Sequence, residues 1–228
     1  MEIFIDSASI PEIERWLNMG LADGVTTNPS IMFKDGVYDI EEGARDIARL
    51  IYPRPLSVEV TTNDLDEMLD QAREFASWAS NIVIKVPQET QDGVPCYGVV
   101  RRLEEGGIRV NSTVAMSLGQ VILAAKAGAT YISIFAGRMG DEGGNTREVI
   151  KNAVWWLERW GYNSKIIVGS IRSVADVLDA ALAGAHIITI PPQFIAKMAD
   201  HRYSRATVGQ FIGDARKALE MMEGARRS

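Results

Sequence analysis

Along this chain of 228 residues, short apolar runs rich in Val and Ile alternate with stretches of helical periodicity, and eight such runs can be counted. That alternation limits the fold more than any other feature. The runs are Ile3-Phe4-Ile5, ending at Asp6; Asp23 to Ser30, a short strand closed by an Asn-Pro turn; Leu56 to Val60; and Ile82 to Val86. Ile108 to Thr113, Tyr131 to Ile134, Lys165 to Val168 and Ile187 to Ile190 complete the set. Most read as strands buried on both faces, which is the pattern of a parallel sheet.

The helical patterns carry their own start and stop signals. Ser9-Ile10-Pro11-Glu12 opens one with an expected cap and capping-box acid, running through about Asn18. Glu41 to Ile51 is ended by Pro53 and Pro55, and Asp64 caps a helix through about Trp78. Tyr97 to Glu105, Ser117 to about Ala127, about Thr146 to Trp160 and Ser173 to about Leu182 follow. Between the sixth strand and its helix lies a glycine-rich loop, Ala136 to Asn145, that matches no nucleotide-binding fingerprint. The stretch Leu123 to Ile134 is echoed by Leu178 to Ile190, each a helix end, a glycine cap and a strand.

This beat has no linker or composition break, and the chain is close to the roughly 250 residues of a single α/β barrel. The expected class is therefore α/β, with one (β/α)8 TIM barrel over residues 1–228 rather than an open, doubly wound sheet. Helical patterns at Gln193 to Met198 and about 207–222 exceed what an eighth helix requires. The last is an additional C-terminal helix that can cross to a neighbouring subunit.

A formal net charge of -6, with no block of Lys or Arg, argues against nucleic acid and against a membrane surface as partners. No apolar run approaches the roughly 20 residues of a membrane span, and no signal-peptide pattern is present, so a cytoplasmic location is expected. The single Cys96 reads as a buried, inert thiol. His186 and His201 lack ligand spacing, and no metal site is expected.

In a barrel the C-terminal strand ends meet at one face, so polar residues there form one constellation. They are Asp6, Asn28, Glu59, Lys85, Asn111 with Thr113, Ser133 with Arg138, and Ser170 with Arg172; only the eighth strand offers none. Lys85 stands out, because Asn81-Ile82-Val83-Ile84-Lys85-Val86-Pro87 places an amine among β-branched residues. Burial disfavours the charged amine, and a free amine can attack a ketone to form an imine. The bland alternative is a lysine whose stem follows the strand while its ammonium reaches water or a carboxylate. Glu59 on the adjacent strand can manage the protons, through a water held also by Thr113 and Asp6. Arg138, Ser170 and Arg172 are candidates for an anion site, although Arg172 reads equally well as a surface residue.

Phe4-Ile5-Asp6, Gly24-Val25-Thr26-Thr27-Asn28-Pro29-Ser30, Ser57-Val58-Glu59-Val60, Ile82-Val83-Ile84-Lys85-Val86-Pro87 and Ala125-Lys126-Ala127-Gly128-Ala129-Thr130-Tyr131 together resemble the small transaldolases and the related fructose 6-phosphate aldolase. These are class I enzymes on a (β/α)8 barrel, and the resemblance covers nearly the whole chain. It implies a Schiff base on Lys85, proton handling by Asp6 and Glu59, and a water positioned by Thr113. It further implies substrate contacts at Asn28, Asn111 and Ser133 and phosphate contacts at Arg138 and Ser170. Glu59 and Phe135 resemble the transaldolase branch, since the aldolase has glutamine and a water-serving tyrosine there.

The implied reaction moves a dihydroxyacetone unit from a ketose phosphate to an aldose phosphate, with sugar phosphates as partners and no metal or organic cofactor. Family members commonly assemble as rings of five or paired rings, so a homo-oligomer, pentamer or decamer, is expected. Departures fall at Met116, Pro191-Pro192, Gln91 to Cys96 and the loop Phe135-Ala136-Gly137-Arg138-Met139-Gly140-Asp141-Glu142, where substrate range would be set. Two alternatives remain: an aldolase releasing free dihydroxyacetone, and a phosphosugar-binding barrel without catalysis.

Overall fold

Each β-branched run pairs in parallel with the next, and the last returns to the first, closing a barrel in sequence order. In the computed structural model, which describes residues 1–227, the strands are β1 Glu2–Asp6, β2 Gly24–Thr26, β3 Leu56–Glu59 and β4 Ile82–Pro87. β5 Val110–Ala115, β6 Tyr131–Phe135, β7 Lys165–Gly169 and β8 Ile187–Ile190 complete it. Closure removes the unpaired edges an open sheet would leave.

The helices are α1 Ile10–Asn18, α2 Pro29–Lys34, α3 Ile40–Ile51, α4 Leu65–Ser77, α5 Tyr97–Glu105 and α6 Leu118–Lys126. Then come α7 Ala136–Asp141, α8 Thr146–Trp160, α9 Val174–Leu182, α10 Pro192–Ala199 and α11 Arg202–Arg227. Their starts follow the side-chain chemistry. Asp64 accepts from the N–H groups of Asp66 and Glu67, Ser117 from Gln120, and Ser173 with Asp176 forms a reciprocal capping box.

Three local expectations are corrected. Ser9 does not cap α1 through its side chain; its own N–H donates to Ser7 Oγ at 3.1 Å. The glycine-rich stretch after β6 is not all loop, because Ala136–Asp141 folds as α7. The short run after Asn28 is likewise helical, as Asn28 Oδ1 accepts from Ile31 N and Pro29 sits at the first position.

The barrel interior is layered by the two-residue period of its strands. Phe4, Val83, Tyr131, Ile167 and Ile187 form a buried apolar cluster, with the Phe4 and Tyr131 rings edge to face at 6.3 Å. Gly24 lies opposite Phe4 in the β1–β2 register, and a Cβ there would sit 2.7 Å from the Phe4 ring. Only glycine admits that ring.

The chain divides into two compact units, Met1–Pro192 and the segment from Gln193 onward. In the second, α11 carries Val208, Phe211, Ile212, Leu219 and Met222 at helical spacing, and all five are exposed. Among the described residues, no helix is long and apolar enough to cross a membrane.

Candidate active site

Two residues beyond the apolar layer, the same strands turn polar: Phe4 gives way to Asp6, Val83 to Lys85, Tyr131 to Ser133 and Ile187 to Thr189. Side chains two apart share a face, so these groups stack directly above the core. A cavity of about 280 Å³ opens there, lined by Asp6, Lys85, Ser133 and Thr189. Asn28, Phe135, Arg138 and Ser170 also line it.

Lys85 is 4% exposed and lies between Glu59 and Asn111 in the strand registers. Its ammonium is 3.0 Å from Glu59 Oε2 and donates to the Thr27 carbonyl at 2.9 Å. Of the two outlets in the bland alternative, water or a carboxylate, the ammonium takes the carboxylate. Lys85 is held inside the barrel beside a carboxylate that is itself largely buried. An ion pair with one direct backbone acceptor keeps the desolvated charge tolerable.

Asp6 stands above Phe4 and accepts from Thr26 Oγ1 at 2.7 Å; Thr26 in turn shares a short hydrogen bond with Thr189. Burial pushes the Asp6 carboxyl above its ordinary value. The Thr26 bond and the Lys85 charge oppose the shift, while Asp35 and Glu59 add to it. A carboxyl whose folded value is raised binds its proton more readily folded than unfolded, so stability falls as pH climbs from the unfolded value toward the folded one. Asp6→Asn is therefore expected to unfold at higher urea concentration than the native protein at pH 7. The gain should shrink as pH drops toward the unfolded value of about 4 and be absent below it, and a native-like midpoint at pH 7 would contradict the cost assigned to this carboxylate.

On β5 and β6, Ser133 Oγ donates to Asn111 Oδ1 at 2.7 Å, and Asn111 Nδ2 reaches Ser57 Oγ at 3.4 Å. Asn111 is fully buried behind the cavity and is fixed by its neighbours. Thr113 pairs with Pro87 in register, and its buried hydroxyl has no hydrogen-bond partner. Such an orphan needs a partner, and water or substrate would supply one. Immediately after it, β5 bulges and Val114 adopts a left-handed φ of 65°. For a β-branched residue that is strained backbone, here beside a candidate site residue.

Among the described residues, Ser170 is the other non-glycine residue in the left-handed region, at φ 58°. Its carbonyl accepts from Gly137 N at 3.0 Å, which locks the end of β7 against α7. A Cβ on Gly137 would lie 2.2 Å from that carbonyl oxygen and 2.8 Å from Arg172 Nε. Neither partner is a free chain end. Gly137→Ala is expected to cost about 1–3 kcal/mol, the range for overpacking a fitted contact. Urea unfolding measures it, and an unchanged midpoint would show that the clamp yields freely.

Asp6, Asn28, Lys85, Ser133, Phe135, Arg138 and Ser170 thus share one cavity, with Glu59 and Asn111 level with Lys85 on β3 and β5 and Thr113 two residues farther along β5, opposite Pro87. Arg172 does not join them. Its guanidinium forms an ion pair with Asp141 and lines a separate groove between α8 and α9. Arg172 is exposed where the others are gathered round the cavity.

Sequence reasoning missed Thr26 and Thr189, and with Thr189 the eighth strand does contribute. Both stand two residues beyond an inward-facing position, which is the signal that finds them. Lys34 also lines the cavity and was not singled out. Cys96 is buried, and desolvation raises its thiol pKa to about 11. Among the described residues, no cluster of His, Cys, Asp and Glu is arranged to hold a metal ion.

Solved structures share the architecture at low identity, which speaks to the fold alone. A mandelate oxidase superposes with TM-score 0.57 at 16% identity, over 84% of this chain and 64% of that one. Thiamine phosphate pyrophosphorylase from Pyrococcus furiosus gives 0.56 at 13%, over 83% and 85%. Sequence relatives are far nearer. A probable transaldolase of Lactiplantibacillus plantarum is 40% identical over 94% of this chain and 96% of its own length. Probable transaldolase 2 of Listeria monocytogenes is 40% identical over 98% and 100%. The model of the Transaldolase/Fructose-6-phosphate aldolase family matches residues 3–227, spanning every strand that supplies the cavity. With the match running nearly end to end, the chain belongs to the transaldolase/fructose-6-phosphate aldolase family.

Proposed function

We propose that this protein is a class I transaldolase, moving a dihydroxyacetone unit from a ketose phosphate to an aldose phosphate through an imine on Lys85. The observation that carries the proposal is a buried lysine amine 3.0 Å from a carboxylate at the floor of a polar cavity. Glu59 takes a proton from Lys85 Nζ, and the freed amine forms a bond to the substrate carbonyl carbon. The carbonyl oxygen is protonated and leaves as water, for which the unpartnered Thr113 hydroxyl offers a hydrogen bond.

The iminium then draws the electron pair of the bond between its α and β carbons as that bond breaks. Asp6 accepts the proton of the neighbouring hydroxyl, so an aldose phosphate departs and an enamine stays on Lys85. Attack of the enamine on an acceptor aldehyde, with the proton returned by Asp6, reverses the sequence on a new sugar. Hydrolysis of the new imine releases the product.

Asn28 retains its Nδ2 for a substrate hydroxyl, since its Oδ1 serves the α2 cap. Ser133 lines the path of the sugar and is held there by Asn111 behind it. Arg138 and Ser170 hold the phosphate, and Phe135 brings no hydroxyl that would deliver water to the enamine. That last feature, with Glu59, favours transfer over free aldol cleavage.

The test is the product set from fructose 6-phosphate with and without erythrose 4-phosphate. Transfer predicts a seven-carbon ketose phosphate only when the acceptor is present, and no free dihydroxyacetone. Free dihydroxyacetone released at equal rates without acceptor would replace this proposal with the aldolase reading.

The exposed apolar stripe of α11 is assigned to a neighbouring subunit in a homo-oligomer. Phe211→Glu with Leu219→Glu should lower the molar mass in sedimentation equilibrium, and a monomeric native protein would refute the assignment.

A further inference from the structure

We infer that Lys34 is a second cation of the phosphate seat, acting with Arg138 in the same cavity and setting preference for phosphorylated substrates. The inference rests on the sugar-phosphate reading above and adds a specificity-determining residue to it. Three basic side chains line the cavity: Lys85, Lys34 and Arg138. Lys85 is committed to Glu59 at the floor. Arg138 and Lys34 are exposed at the mouth, and neither has an ion-pair partner among the described residues.

The other candidate for a second cation is spent elsewhere, because Arg172 is bound to Asp141 and faces another groove. A phosphate monoester carries about -1.5 to -2 charges at neutral pH, which a single arginine only half balances. Lys34 supplies the remaining charge as a mobile ammonium rather than a planar fork.

The placement of Lys34 is built by its neighbours. α2 starts at the Asn28 cap with Pro29 and runs only six residues, so Lys34 is its last. Asp35 follows at once, and its carboxylate accepts from Ser7 Oγ and from Ala8 N, both at 2.8 Å. Those bonds tie the end of α2 to the segment after Asp6, alongside the cavity. They also consume the carboxylate nearest in sequence to Lys34, leaving the ammonium for a ligand.

The experiment compares borohydride trapping, as a function of donor concentration, in the native enzyme, Lys34→Gln and Lys34→Arg. Fructose 6-phosphate and unphosphorylated dihydroxyacetone are the two donors. Lys34→Gln is expected to raise the half-saturating concentration of fructose 6-phosphate roughly tenfold, the scale of one lost charge-assisted contact. Dihydroxyacetone should shift less than about twofold on the same scale, and Lys34→Arg should recover most of the loss. The native dependence on added salt should also flatten in Lys34→Gln.

Equal shifts for the two donors, or no shift for either, would overturn the inference while leaving the Schiff-base reading intact. Absence of any adduct in the native enzyme with both donors would overturn that reading, and this inference with it.

Discussion

Replacing Lys85 with methionine is expected to abolish turnover, lowering it by roughly four orders of magnitude or more, as removal of a covalent nucleophile does. Methionine keeps the length of the stem and fills the same buried space between Glu59 and Asn111. The loss then belongs to the amine rather than to a cavity. The substitution strands the Glu59 carboxylate, which is 18% exposed and sits 3.0 Å from the amine it loses. Some stability should go with it, so circular dichroism and a urea midpoint must accompany the kinetics. A folded Lys85→Met protein that still converts fructose 6-phosphate would end the Schiff-base account.

Glu59→Gln is expected to slow turnover by about 10²–10⁴-fold, the usual reach of a general acid–base group. The amide keeps a hydrogen bond to Lys85 but cannot exchange a proton with it. The other groups against Lys85, Asn111 and the Thr27 carbonyl, do not titrate, which leaves Asp6 as the remaining carboxyl in the cavity. Because Glu59 is needed to form and to break the imine, the defect should appear in the pre-steady-state rate of donor trapping as well as in turnover. Wild-type trapping rates in this variant would move the proton handling to Asp6.

The barrel was legible because its constraint is repeated. Eight β-branched runs, spaced by capped helices, leave few topologies, and errors at single boundaries do not disturb the count. Lys85 and Glu59 were legible for a related reason: a charge inside an apolar strand costs free energy unless a partner meets it, and adjacent parallel strands bring the two level. The sequence patterns that failed were those where a side chain's orientation decides. Arg172 follows a strand end like the others, but its guanidinium is paired with Asp141, which spacing alone does not reveal. Ser9 has the composition of a cap, yet its side chain makes no cap bond, while its N–H is taken by the Ser7 hydroxyl that Asp35 orients.

Thr189 illustrates a signal that was present and unused. Threonine in Ile187-Ile188-Thr189-Ile190 reads as an ordinary β-branched strand residue. Once Ile187 is known to face inward, Thr189 must face inward too, and its hydroxyl meets Thr26 above the apolar layer. Lys34 was hidden differently. It ends a short helix that no periodicity window of ordinary length detects, inside a stretch that reads as a turn after Asn28-Pro29. The strain at Val114 and Ser170 has no sequence signal, because both residues ordinarily avoid positive φ.

The central claim is that a ketose phosphate becomes covalently attached to Lys85, and borohydride reduction tests it most directly. The native protein would be incubated with fructose 6-phosphate, reduced, and analysed by intact mass and peptide mapping. The account predicts one reduced three-carbon adduct per chain, located on Lys85 in the peptide spanning β4, and lost when erythrose 4-phosphate is added before reduction. No adduct, or an adduct on another lysine while activity persists, would contradict it.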